Sequence, residues 1–332
     1  MNSTPRERMI AALERRPPLP GPVPHWELVF FPTMEAFGKV SSVHRNYSQW
    51  LQMSEREREL HRIDIAELAI AIAEKYEHNA ISVLPAPWES QEFCRLAEKI
   101  RERSGARYLL IAHADGTQAI PSGGDMEQFS YRLIDEPQKL KDESMRAIEQ
   151  LLRDAVSWRA AGIEAVAMCS DYCMNAGPFL SPELFAEFVT PFLKLQVAEL
   201  RKLGFYTIKH TDGNIMPIID QLAECAPDAL HSLDPQGGVD IAEVKKRYGD
   251  RLCLIGNVNC GLMDTGTDAE VAASAEYALR HGMPGGGYVF STSNCIYTGM
   301  PLEHYELILK IRHEKGVYPL PPADSSDEKE EA

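Results

Sequence analysis

Phe205-Tyr206-Thr207-Ile208-Lys209-His210-Thr211-Asp212-Gly213-Asn214 reads as a short β-strand that ends in a polar, turn-forming tip. Its first residues are aromatic or β-branched, the types that fit a pleated, buried surface. Side chains alternate along a strand, so His210 and Asp212 share one side. An imidazole and a carboxylate two residues apart at a strand tip suit a metal ion or a proton-transfer pair. The same residues would also serve as a hydrogen-bonded strand-end histidine and a turn aspartate, and the rest of the chain decides between the two.

Working outward, eight short β-rich runs alternate with segments of helical periodicity. The runs are Val23–Val29, Ala80–Leu84, Tyr108–Ala112, Ala165–Cys169, Phe205–Lys209, Ala229–Leu233, Leu252–Gly256 and Tyr288–Ser291. Helical segments are expected over Gln91–Gly105, Pro137–Ala161, Pro182–Leu203, Ile215–Cys225, Ile241–Tyr248 and Asp268–His281. Strict alternation predicts βαβ units and a parallel sheet, and eight units predict a closed (β/α)8 TIM barrel over residues 20–318. An N-terminal helical extension over 1–19 precedes it, and a partly helical excursion spans 30–79. Ser181-Pro182-Glu183 and Thr267-Asp268-Ala269-Glu270 mark helix starts.

The chain has 332 residues, 44% hydrophobic and 25% charged, enough for one large domain with a buried core. Its net charge is −15, of which residues 323–332 supply five acids against one lysine. That composition predicts an acidic, disordered tail over 319–332. An acidic surface does not attract nucleic acid or anionic lipid. No apolar run reaches the length of a membrane span and no signal-peptide core is present, so a cytoplasmic location is expected. Seven scattered cysteines form no disulfide framework and predict reduced thiols, some of them available as ligands.

In a barrel of this kind, chemistry collects at the C-terminal ends of the strands. Those ends carry Glu27, Asp115, Asp171, His210 with Asp212, Asp234, Asn257 with Asn259, and Asn294 with Cys295. So many polar residues exceed what turns require. The tips after the fifth and eighth runs converge over one mouth, where His210, Asp212 and Cys295 would suit zinc, with Asp234 as a further candidate ligand. Asp171, His210 and Glu27 are the expected catalytic groups. Trp26, Tyr172, Asn257, Asn259 and Asn294 are expected to line a substrate site. Gly285-Gly286-Gly287 precedes the last run and belongs at the opposite face, away from the chemistry.

Gly177-Pro178-Phe179-Leu180-Ser181-Pro182-Glu183-Leu184-Phe185, His210 to Asn214, and Leu254-Ile255-Gly256-Asn257-Val258-Asn259 together resemble the uroporphyrinogen decarboxylase superfamily in order and spacing. The resemblance extends more weakly over about residues 5–318. Uroporphyrinogen decarboxylases of this superfamily hold a polycarboxylate substrate with arginines after the first strand. Here His25-Trp26-Glu27-Leu28-Val29-Phe30-Phe31 has none, and no arginine lies between Arg16 and Arg45. The chain is more similar to the zinc-dependent, corrinoid-linked methyltransferases, which include coenzyme M methyltransferases and O-demethylase methyltransferases. Among these, resemblance to the coenzyme M methyltransferases implies a His-x-Cys pair after strand five and a cysteine after strand eight. Cys295 matches the latter, while Asp212 replaces the former, giving a harder site and pointing away from coenzyme M. No Asp-x-His-x-x-Gly corrinoid signature is present, so the resemblance implies a corrinoid on a separate partner protein.

The expectation is therefore a methyltransferase acting between a small methylated donor, such as a methoxylated aromatic, and a corrinoid protein, assisted by zinc. The alternatives are a metal-free decarboxylase of a smaller acid and a non-catalytic binding barrel.

Overall fold

A computed structural model describes residues 3–45 and 48–319 of the chain. Seven parallel strands run in spatial order Tyr288–Thr292, Cys253–Val258, Ala229–His231, Tyr206–His210, Ala165–Met168, Leu109–His113 and Ala80–Val83. Each is joined to the next by helical segments, and the sheet curls into a TIM barrel. The acidic tail expected over 319–332 falls, apart from Pro319, outside the described residues.

The eighth place in the wall belongs to residues 23–30, which form no regular ladder. His25 bridges to Phe290 and Phe30 to Ile296, both in parallel sense. On the other side, Asn79 N–H donates to the His25 carbonyl at 2.6 Å and the Asn79 side chain accepts from His25 N–H at 2.8 Å. The strand expected over Val23–Val29 is thus reduced to isolated bridges. Pro22 and Pro24 explain this locally, because proline has no N–H to give a ladder.

Two apolar layers flank the wall. Inside the barrel lie Trp26, Leu28, Ala80, Leu109, Ile111, Ala165, Ala167, Ile208, Ala229, Cys253, Ile255 and Val289. Alanines opposite Trp26 and isoleucines let large and small side chains share a narrow interior. Helix Pro5–Leu13 adds Met9 and Leu13 to this layer, so the N-terminal helix contributes to the barrel core. A larger outer layer packs the strands against the helices.

Most helices follow the sequence reading, including the Thr267–Glu270 capping box and the Ser181 cap. The single helix expected over Pro182–Leu203 is two, Pro182–Phe188 and Thr190–Lys202. Pro191 lacks the N–H that would continue the first helix through Val189. Among the described residues, no helix is long and apolar enough to cross a membrane. The triple glycine lies at the foot of the barrel, with Gly286 against Pro18 and Gly287 against Arg15.

Candidate functional site

Strand Tyr206–His210 positions the site by simple alternation. Ile208 packs inside the barrel, so His210 also faces inward, while Lys209 faces out. Lys209 is fully buried, and its ammonium donates to Asp115 Oδ2 at 2.9 Å, the Ser170 carbonyl at 2.8 Å and the Met168 carbonyl at 3.2 Å. All three of its protons have acceptors, so it ties the loop after the fourth run to the next strand and is unavailable as a nucleophile.

The chain beyond His210 turns at Gly213, whose φ of +75° is left-handed. A Cβ there would lie 2.6 Å from the Met174 carbonyl oxygen, so glycine is required by both space and conformation. The turn swings Asp212 back over His210. His210 Nε2 then lies 3.7 Å from Asp212 Oδ1 and 3.8 Å from Asp171 Oδ1. Asp212 N–H donates to Asp171 Oδ1 at 3.0 Å, linking the two loops. One donor atom from each of Asp171, His210 and Asp212 lies within 4.8 Å of the others. His210 is buried and Asp171 is half-exposed, so the cluster opens to solvent on the Asp171 side.

Burial, followed by the nearby His231, holds the His210 pKa well below its ordinary value, so this imidazole is neutral. Burial and then the Asp171 carboxylate push Asp212 up to about 7, and burial also raises Asp171. Two carboxylates that resist ionising together are relieved by a proton or a cation between them. The donor set is one neutral imidazole and two carboxylates, a combination that zinc and similar divalent ions accept. The residues present therefore fit the metal that the resemblance implies.

Neighbours hold Asp212 in place. Ser232 Oγ donates to Asp212 Oδ1 at 2.9 Å, and Asn294 Nδ2 donates to Asp212 Oδ2. Beneath the cluster, His210 Nδ1 and His231 Nδ1 are 2.7 Å apart, and the Trp26 ring meets His231 edge-on with centroids 5.7 Å apart. His231, Ser232 and Lys209 were not singled out by the sequence reading. The register between neighbouring strands carries the missing signal, since His210 pairs with His231 directly across the ladder.

Several expected site residues have other positions. Cys295 is not one of the three clustered donors: it is buried beside Cys260, although its thiol still feels the Asp212 charge. Asp171 supplies the third donor instead. Glu27 is buried and is not one of the clustered donors, accepting from Ser291 Oγ at 3.1 Å and from Thr292 N at 3.1 Å. Tyr172 lies on the outer side of the wall, its hydroxyl 2.6 Å from Thr117 Oγ1 and its ring under Lys209. Asn259 caps helix Cys260–Thr265, accepting from Gly261 and Leu262 N–H. Asn257 is buried and donates to the Leu233 carbonyl at 2.9 Å. Asp234 caps the turn Pro235–Gly237 and accepts from Gly213 N–H at 3.3 Å. Trp26 forms the floor under the histidine pair, and Asn294 reaches the site through Asp212.

The chain is similar in sequence and in fold to known proteins. The chain is 28% identical over 226 residues to the methylcobamide:CoM methyltransferase MtaA of Methanosarcina barkeri, covering 65% of this chain and 61% of that protein. It is 29% identical over 168 residues to a uroporphyrinogen decarboxylase of Thioalkalivibrio sulfidiphilus, covering 48% of this chain and 44% of that one. The chain thus spans between 44% and 61% of the length of these two relatives. A solved methyltransferase structure from Methanosarcina mazei superposes with a TM-score of 0.71, covering 94% of this chain and 99% of that chain at 18% identity. That likeness shows the shared fold. The family model for uroporphyrinogen decarboxylase (URO-D) matches residues 95–315, two-thirds of the chain, and the chain belongs to that family.

Proposed function

We propose that this protein is a methyltransferase that moves a methyl group between a small methylated donor, such as a methoxylated aromatic, and a corrinoid carried by a separate protein. The observation that carries the reading is the convergence of Asp171, His210 and Asp212 at the C-terminal mouth of the barrel. These three residues would hold zinc, with Asp171 in the part the sequence reading gave to Cys295. When bound, zinc supplies the Lewis acidity that makes an ether oxygen a better leaving group. His210 offers a neutral nitrogen from a rigid strand end, and Ser232 and Asn294 fix the angle of Asp212. Asp171 stands at the open side, where a donor molecule enters. An oxygen-rich donor set is harder than one built from thiolates, which favours an oxygen-bearing substrate over a thiol. The similarity to MtaA supports methyl transfer as the reaction class.

A second reading has a specific observation behind it. Asp212, with its pKa near 7, is a carboxyl that can give a proton at neutral pH, as a metal-free decarboxylase of a small acid would need. Metal content separates the two. Protein purified without air should carry one zinc per chain and should methylate or demethylate a corrinoid protein, followed by the cobalt absorbance. His210→Ala should keep the fold and lose both the zinc and several orders of magnitude of turnover. Full turnover in that variant would overturn the methyltransferase reading, and turnover of a carboxylic acid by zinc-free protein would establish the second.

A further inference from the structure

Residues 27–30 stand beside strand Ala80–Val83, the last in the sheet order, yet no main-chain hydrogen bond joins the two among the described residues. One side-chain link, from Ser82 Oγ to the Leu28 carbonyl at 2.9 Å, spans the seam. A strand edge without a ladder partner needs a cover. Helix Glu55–Lys75 supplies it from outside, with Ile65, Leu68, Ala69 and Ile72 turned to the seam. The cover leaves a cavity of about 60 Å³. A water needs about 10–15 Å³ by this measure, so the space holds about four to six water-sized groups, the size of one small ring.

Protein interiors are close-packed, and an empty space of this size costs stability, so its lining shows what it is built to hold. Phe30, Ile65, Ile81 and Leu96 belong to the outer apolar layer, which puts the cavity outside the barrel wall. None of Asp171, His210 and Asp212 lines it. The hydroxyls come from Thr33, Ser41 and Ser42, all buried on the cavity wall. Thr33 is 2% exposed, and its Oγ1 has no hydrogen-bond partner among the described residues. A buried hydroxyl without a partner is costly, and an oxygen on a ligand relieves it. Among the described residues no lysine or arginine lines the space. Its titratable groups are held toward their neutral forms by burial, Glu27 rising to about 8 and His78 falling to about 3. An anion would meet no opposite charge here.

We propose that this cavity binds a small neutral molecule about one ring in size, with an apolar body and one hydroxyl or ether oxygen that pairs with Thr33. The apolar body fills the space between the helix and the seam, and the oxygen takes up the unpartnered hydroxyl. A carboxylate of the same size is rejected, because burying an unpaired charge costs far more than the apolar contacts return. Val29, Ser82 and Leu84 keep some exposed surface at the C-terminal ends of the two wall segments, and the molecule enters there. The site is separate from the one under Proposed function and stands whether or not the protein binds zinc.

The test is a calorimetric titration of the full chain at pH 7 with phenol, toluene and benzoate as probes. Phenol and toluene should each bind at one site per chain, and benzoate should not bind. Thr33→Val keeps the shape of the wall and removes its hydroxyl. It should lower the ratio of phenol to toluene affinity by about 2- to 10-fold, the worth of one hydrogen bond. Ala69→Phe fills the space and should abolish binding of both, with melting temperature as the check on folding. If that variant does not fold, Thr33→Val decides. His210→Ala should bind phenol as wild type does. No phenol binding, benzoate binding as tight as phenol, or an unchanged affinity ratio in folded Thr33→Val would overturn the proposal. Loss of phenol binding in His210→Ala would overturn it too, since it would move the ligand to the mouth of the barrel.

Discussion

Glu27 was expected at the mouth as an acid, and its surroundings give it a different role. Burial pushes its pKa up to about 8 against opposing hydrogen bonds from Thr292 and Ser291. Thr292 Oγ1 lies 2.6 Å from both Glu27 Oε2 and the Asn294 carbonyl, yet has one proton to give. A protonated Glu27 resolves this by donating to Oγ1, which passes its own proton to Asn294. A carboxyl whose folded pKa exceeds its unfolded value favours folding most below the unfolded value, and that contribution is lost as pH rises toward the folded value. The window here runs from about 4.5 to about 8, with a loss of roughly 1.4 kcal/mol per pH unit. Glu27→Gln imitates the protonated form, so it should match wild type in denaturant melts at pH 5 and exceed it at pH 9. Equal pH profiles for the two proteins would show that Glu27 is ionised in the fold. Asn294 gives a second prediction at this scale. It donates to Asp212 and accepts from Cys295 N–H at 2.7 Å. Asn294→Ala should weaken zinc binding 10- to 100-fold while removing about 1–3 kcal/mol of stability. Unchanged zinc affinity would mean that Asp212 is held by Ser232 alone.

Among the elements, strands and their order were legible because βαβ alternation and period-two burial are written in the chain itself. The decisive strand begins one residue later than read and includes His210. The wall at residues 23–30 was less legible: its apolar run reads as a strand, but its prolines convert the ladder into isolated bridges. The Asp171–His210–Asp212 cluster was half legible. His210 and Asp212 follow from strand alternation and turn position, whereas the exchange of Cys295 for Asp171 depends on loop paths that no local pattern encodes. The two residues after His231 illustrate this, since Ser232 and Leu233 have φ of +89° and +51° where the sequence reads as continuing strand. That backbone bends Ser232 toward Asp212. The N-terminal helix supplies the prediction for this scale. Met9 and Leu13 are fully buried in the barrel interior, and Arg6 pairs with Glu164 at the foot of the wall. Leu13→Ala should therefore cost about 2–5 kcal/mol, as for a core truncation, and leave zinc affinity unchanged. A loss below about 0.5 kcal/mol, the range of ordinary surface substitutions, would show that the helix is a dispensable appendage.

For the whole molecule, the acidic balance matters most through what it does to a bound cation. A net charge of −15 gives the chain a diffuse affinity for any divalent ion, so zinc uptake alone is a weak criterion. A specific site differs in three ways that stability reads together. An ion that binds only the folded state stabilises it by about 2.7 kcal/mol at one hundred times its dissociation constant. In a barrel of this size that amounts to a rise of roughly 5 °C in melting temperature. Neither apolar layer includes the three clustered donors, so a chelator should reverse the rise without unfolding the protein. The rise should also depend on pH with a defined sign. Asp212 must be ionised to act as a ligand, and its pKa near 7 places the change in the neutral range. Below that point each pH unit should weaken zinc binding by about tenfold, since a proton and the metal compete for one oxygen. Thermal scans of wild type with zinc, with magnesium and with chelator at pH 6 and pH 8 should show a zinc-selective shift that is larger at pH 8. His210→Ala should show no zinc-selective shift at either pH. An equal shift with magnesium, or the same zinc shift in His210→Ala, would place the ion on the acidic surface and leave the mouth of the barrel without a metal.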